Sequence, residues 1–304
     1  MGSKIYGKNQ IKYTIKTIRK ENIDSKISIN DKFFTKIKLK QGEWAYWAGM
    51  VDGDGAVKED CNFILRLTDK NIIIDLAKIY GCKVRRMRYQ SEARQDMYMI
   101  YFGRNKRKHF MFHIYPYLIE KKEKVRNYIK KVFPKFIDTE PNKFGLGYDE
   151  LVCKMGYTAG FFDAEGSAGI YKNKRDNSLK AQVNMTNSNT LPLKKIQSFF
   201  HEAPFNFPLK QIPIRIARKP KMLKSGNMGK ISYSLNLAGN KRFAFMAIML
   251  PFLKCERKKL IAKKIKLLAK VIKYTNPKRS NMPNLPVWKN KLELLEGMRS
   301  LDEA

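Results

Sequence analysis

The sequence predicts an α+β protein built from two copies of one αββαββα unit, each with a four-stranded antiparallel sheet. Three observations predict it. EWAYWAGMVDGDGAV at residues 43–57 is matched by YTAGFFDAEGSAGI at 157–170, aligning Ala48-Gly49 with Ala159-Gly160, Asp52 with Asp163, Asp54 with Glu165 and Gly55 with Gly166. A second pair follows in the same order, NKRKHFMFHIYPYLIEKKEKV at 105–125 and NKRFAFMAIMLPFLKCERKKL at 240–260. Here Asn105-Lys106-Arg107 meets Asn240-Lys241-Arg242, and Pro116 meets Pro251. Two matches in one order mark a duplicated unit. Between them the apolar period switches from that of a helix to that of a strand and back.

In the first copy, residues 43–53 read as a helix and 56–68 as a hairpin, where Phe63, Leu65 and Leu67 alternate with Asn62, Arg66 and Thr68. KNIIIDLAKIY at 70–80 is a second helix, 82–102 a second hairpin, and 106–131 helices broken near Pro116. The second copy places its hairpins at 167–186 and about 210–237, with Lys180, Gln182, Asn184 and Thr186 alternating against Leu179, Ala181, Val183 and Met185. The first repeat therefore spans 41–133 and the second 150–273, joined by a Pro-, Gly- and Asn-containing linker at 134–149. A basic extension at 1–40 and a segment at 274–304 flank them, and VWKNKLELLEGMR (287–299) has the pattern of an amphipathic helix.

The chain has 304 residues, 43% of them hydrophobic, so a substantial core is expected. Lys and Arg number 62 against 27 acids, a net charge of +35, which calls for a polyanionic partner. Nucleic acid fits, because each neutralised phosphate releases counterions. No apolar run reaches the roughly 18–20 residues of a membrane span, and no secretory signal opens the chain. Cys61, Cys82, Cys153 and Cys255 are widely separated, which argues against a disulfide framework or a zinc cluster and fits a reducing compartment. Heavy use of Lys, Ile and Asn suggests an AT-rich genome, with a mitochondrion or other organelle as the expected location.

Gly49 and Gly53 share one helix face, as do Gly160 and Ala164, and such small faces let two helices pack closely. Pairing them brings Asp54 and Glu165 together, and two close carboxylates need positive charge between them. Mg²⁺ suits oxygen ligands and takes few carboxylates, and paired ions of this kind drive phosphodiester hydrolysis.

These paired stretches resemble the LAGLIDADG motifs of homing endonucleases, in the single-chain form with two motifs, over about residues 43–260. The resemblance implies that Asp54 and Glu165, the last acids of the motifs, hold two or three divalent ions, with Gly53 and Ala164 before them completing the ion site. It implies that the sheets form a saddle on double-stranded DNA. The expected activity of the monomer is cleavage of both strands of a long asymmetric site, leaving 3′ overhangs. An intron RNA-splicing maturase on the same scaffold is the alternative, with intron RNA as partner. The family often keeps a basic residue that stabilises transition-state charge, for which Lys106 and Lys241 are candidates, with Asn105 and Asn240 as neighbouring alternatives. Trp47 stands where the family often has Leu. The arm before Gly42 has no counterpart in the minimal pattern.

Other readings of these residues are weaker. A calcium loop would require an acid or amide at Ala56 and Glu at Phe63. Asp52 and Asp163 read as structural. His109 and His113 have zinc-site spacing but no third ligand, and the second copy has Ala244 and Ile248 there, so they read as packing or surface residues. Arg66, Arg86, Arg88, Lys180, Gln182, Asn184, Arg215, Ser234 and Asn236, on strands of alternating polarity, are the candidate DNA contacts.

Overall fold

A computed structural model describes residues 39–58, 63–87, 96–133, 148–172, 179–201, 212–219 and 228–275. Arg88, Cys61, the arm before residue 39 and the 287–299 segment lie outside the described residues. The order in the first repeat is α1 (Gln41–Asp54), β1 (Gly55–Val57), β2 (Phe63–Leu67), α2 (Lys70–Tyr80), β3 (Lys83–Met87), β4 (Met97–Tyr101), α3 (Arg104–Ile114) and α4 (Lys122–Val132). The second repeat runs α5 (Tyr148–Glu165), β5 (Gly166–Lys172), β6 (Leu179–Asn187), α6 (Thr190–His201), β7 (Ile214–Arg218), β8 (Ser232–Leu237), α7 (Asn240–Met249) and α8 (Glu256–Thr275). Each repeat forms one antiparallel sheet, ordered β1-β2-β4-β3 and β5-β6-β8-β7. The expected α+β duplication is present.

Local chemistry explains the breaks. Asp69 caps α2 by accepting from the Asn71 and Ile72 amides at 3.1 and 3.4 Å. Gly81 ends that helix at φ 53°, and the Cys82 amide closes back onto the Ala77 carbonyl at 2.8 Å. Pro116 falls in a short 3₁₀ turn, Tyr115–Tyr117, where the helical pattern breaks before α4. Around this frame, Phe63, Tyr80, Phe102 and Phe110 pack ring against ring in the first repeat, and Phe162, Phe200 and Phe245 do so in the second.

α1 and α5 are the spine. Trp44 through Asp52 are all buried, which explains why α1 shows no one-sided amphipathic pattern. The two helices touch backbone to backbone. A Cβ on Gly49 would lie 2.0 Å from the Tyr157 carbonyl oxygen, and one on Gly160 would lie 1.9 Å from that of Tyr46. Only glycine permits this approach at either site. One turn further on, Gly53 faces Ala164, and both spine helices end at the acids, Asp54 and Glu165.

Candidate active site and nucleic-acid face

The second acid from the end of each helix is a buried brace. Asp52 accepts from the backbone amides of Ile119, Glu120 and Lys121 at 2.7, 3.2 and 2.9 Å, and from the Tyr157 hydroxyl at 2.8 Å. Asp163 accepts from the Lys254 and Cys255 amides at 2.7 and 3.1 Å and from the Tyr46 hydroxyl at 2.7 Å. Each tyrosine comes from the other repeat's spine helix, so each carboxylate ties a helix end to its own repeat's following loop and to its partner helix. Burial raises both carboxyls, while the hydrogen bonds they accept lower them. These are structural aspartates.

Two lysines close the helix ends. The Lys121 ammonium donates to the carbonyls of Val51, Asp52 and Gly53 at 2.7, 2.5 and 3.2 Å. Lys258 donates to Phe162 and Asp163 at 2.6 and 2.7 Å. A cation at a helix C-terminus satisfies carbonyls that lack intrahelical partners and complements the dipole. Burial lowers the pKa of both lysines, and the surrounding acids raise it; Asp54 acts on both, and Glu165 acts on Lys121.

Asp54 keeps an exposed edge and Glu165 is half-buried. Burial raises the Asp54 carboxyl, opposed by Lys258 and Lys121. Glu165 is pushed up to about 7 by burial first and then by the charge of Asp54, against the pull of Lys121. Both carboxyls are therefore held above their ordinary range chiefly by burial, with Lys121 and Lys258 opposing the shift. Among the described residues no group of three His, Cys, Asp or Glu side chains could hold an ion. Two acids with solvent access fit Mg²⁺, which retains waters and shares phosphate oxygens, and do not fit a closed structural ion.

Lys106 reaches the end of the first repeat's second helix. Its ammonium donates to the Gly81 carbonyl at 2.8 Å, at the end of α2. Lys241 follows Asn240 in the first turn of α7. The lysines that act electrostatically on Asp54 and Glu165 are Lys121 and Lys258, which sequence matching missed. The second repeat's own pattern hides them: Lys121 aligns with Glu256, and Lys258 lies two positions beyond. The cue available in the sequence was a lysine within two residues of that alignment in both copies.

Strand register sorts the candidate contacts. Directly paired residues share a face. In the second sheet Ser167 pairs with Asn184, which pairs with Asn236; Gly169 pairs with Gln182, and Tyr171 with Lys180. Thr186 pairs with Ser234, which pairs with Arg215. Lys180, Gln182, Asn184, Arg215, Ser234 and Asn236 thus lie on one face, opposite the side carrying buried Ala181, Val183, Met185, Leu235 and Leu237. Ser234 is itself only 4% exposed. In the first sheet Arg66 pairs with Met99, which pairs with Arg85. Arg86 pairs with Tyr98, on the face of buried Leu67, and makes an ion pair with Asp96. The arginine beside Arg66 on the polar face is Arg85, because one residue of register reverses the side.

His109 and His113 pack against Trp44, with Trp44 and His113 stacked at 4.6 Å, and His109 Nδ1 meets the Tyr80 hydroxyl at 2.9 Å. They are packing residues.

Two αββαββα repeats, whose motif helices pair and end side by side in acids, define a duplicated single-chain α+β architecture. No family model matches the chain, and no curated protein does. Among solved structures, the chain is similar to the LAGLIDADG homing endonuclease I-GzeII in complex with its DNA target, at 13% identity and a TM-score of 0.47, covering 84% of this chain and 97% of that one. It is also similar to the meganuclease I-SmaMI bound to uncleavable DNA, at 13% identity and 0.46, covering 86% and 100%. The N-terminal LAGLIDADG domain of DUF199/WhiA matches at 10% identity and 0.38, covering 70% and 84%.

Proposed function

We propose that the chain is a single-chain, two-motif LAGLIDADG endonuclease that hydrolyses one phosphodiester in each strand of a long asymmetric duplex site and leaves 3′ overhangs. The observation that carries this reading is the pair of acids at adjacent helix ends, each end closed by a lysine ammonium. A helix end that needed only a stop would not bring a second acid to the neighbouring helix end beside it.

Asp54 and Glu165 would hold the divalent ions, with Gly53 and Ala164 beside them at the helix ends. Magnesium, when bound there, supplies Lewis acidity toward phosphate oxygen and makes water a competent nucleophile at neutral pH. Asp52 and Asp163 fix the angle at which the acids leave the helices. Lys121 and Lys258 keep the carbonyls satisfied and place positive charge beside the phosphates. The polar sheet faces and the net charge of +35 bind the duplex.

The test is digestion of a randomised duplex library in Mg²⁺ by the full chain, with Asp54→Asn and Glu165→Gln beside it. The parent enriches cut molecules of one non-palindromic site. Each amide variant loses double-strand cleavage by at least about 10³-fold yet still binds the selected duplex, since phosphate contacts supply most of the affinity. Cleavage by Glu165→Gln at the parental rate would refute the site assignment.

A further inference from the structure

The second sheet holds a preoriented amide that nothing in the active site uses. Asn236 is exposed, and its Nδ2 donates to the Ser234 Oγ at 3.0 Å. Ser234 is 4% exposed, so it is a fixed support more than a contact. An amide NH₂ has two hydrogens; with one spent on Ser234, Asn236 shows a carbonyl oxygen and one N–H to the open face. Asn184 is its direct cross-strand partner, and Gln182 is two residues along on the same face. Adenine's major-groove edge offers a donor at N6 and an acceptor at N7, the complement of one amide's acceptor and donor. Guanine offers two acceptors there and would leave the Asn236 carbonyl without a donor.

Among the described residues the first sheet has no such device. Counting from the motif glycines, Gly55 pairs with Leu65 and Gly166 with Met185, so Ile64 takes the place of Asn184. Leu65 pairs with Ile100 and Met185 with Leu235, so Tyr101 takes the place of Asn236. Tyr101 is 47% exposed, and together with Ile64 it offers a phenol ring and aliphatic surface where the second sheet offers amides.

Building on the proposed duplex-cleaving function, we propose that Asn236, positioned by Ser234 and flanked by Asn184, selects adenine at one base pair of the half-site under the second repeat. The pseudo-equivalent base pair under the first repeat is chosen without an amide. Ser234 is a positioning residue and does not touch the base.

The experiment is library selection of bound and of cut duplexes by the full chain and by Asn236→Ala, Ser234→Ala and Ser234→Thr, with a thermal melt of each variant. The parent selects a discrete site with adenine at one second-repeat position, favoured by about five- to hundredfold over other bases. Asn236→Ala removes that preference and leaves the other half-site unchanged. Ser234→Ala weakens the preference at the same position alone, and Ser234→Thr, which keeps the hydroxyl, restores it. If the parent selects a discrete site and Asn236→Ala keeps its base profile, the inference fails while the endonuclease reading stands. Failure of the parent to bind or select any duplex would defeat both.

Discussion

The first repeat closes its spine helix with Lys121, which lies in the loop that also gives Asp52 three amides. The second closes its helix with Lys258, inside the first turn of α8, and its loop gives Asp163 only two amides. At the position aligned with Lys121 stands Glu256, and at that aligned with Glu120 stands Cys255. The two halves therefore reach the same electrostatic arrangement with different residues. What is held constant is a cation on the helix carbonyls and a buried carboxylate bound across the interface. This teaches that the duplicated unit keeps a charge pattern in space, and that a residue-by-residue match between copies can miss it.

The spine is where the comparison breaks most severely. Gly49→Ala or Gly160→Ala drives a methyl into a backbone carbonyl at about the separation of a covalent clash, with no flexible side chain to yield. Either variant should lose at least about 4 kcal/mol or fail to fold, measured by urea denaturation. Gly53→Ala is the milder control, since its Cβ would meet the Ala164 methyl at 2.4 Å. Ala164→Gly in the same chain should rescue part of that loss, and failure to rescue would mean that the helices separate at their acid ends.

Next come the braces. Asp52→Ala strands three amides and a tyrosine hydroxyl, and should cost about 3–5 kcal/mol. Asp163→Ala strands two amides and one hydroxyl, so its cost should be smaller by about 1 kcal/mol. Chemical denaturation of both variants checks the order. Equal losses would mean that the asymmetry of the two loops has no energetic content.

Much of this was legible in the sequence. The repeat, the element order, the structural role of Asp52 and Asp163, and the packing role of His109 and His113 all follow from pattern and from comparing the copies. Helix α2 falls on the expected 70–80 because Asp69 and Gly81 mark its ends unambiguously. The partners of Lys106, Lys121 and Lys258 were not legible, because a long flexible side chain finds its carbonyl only after loops and helices have docked. Arg86 illustrates a different limit. Alternation gives a strand's two faces, but which face meets the helices depends on pairing register, and that placed Arg85 beside Arg66. Ser234 was legible as a residue of the polar face; its burial was not.

Acid separates the halves more gently. Burial pushes His109 down to about 3, helped by the charge of His113, and burial alone pushes His113 down to about 4, from 6.5 for a free imidazole. The aligned positions in the second repeat are Ala244 and Ile248. Native rings that refuse protons stabilise the fold fully above about pH 6.5. As pH falls below that value the unfolded chain takes up protons, so stability drops by up to about 1.4 kcal/mol per pH unit for each ring, levelling off near pH 4 and 3. The double variant His109→Ala, His113→Ile should flatten this slope between pH 6.5 and 4.5. An unchanged slope would mean that the two rings do not set the acid sensitivity.

The displaced lysine gives the finest test. Sequence matching between the copies says that Glu256 should carry the role of Lys121, whereas the hydrogen bonds give that role to Lys258. Glu256 is exposed and forms an ion pair with Lys259 at 2.7 Å, an interaction worth little in water. Glu256→Lys should therefore change stability by less than about 0.5 kcal/mol and leave the rate of plasmid linearisation as it was. Lys258→Met, which keeps the buried stem and removes the ammonium, should leave two helix-end carbonyls without their donor and slow cleavage of one strand, so that nicked plasmid accumulates. The two variants lie two residues apart on one helix, one on its solvent face and one beneath the spine. If Glu256→Lys were instead the damaging change, the role would follow sequence position, and the spatial equivalence of the two lysines would be wrong.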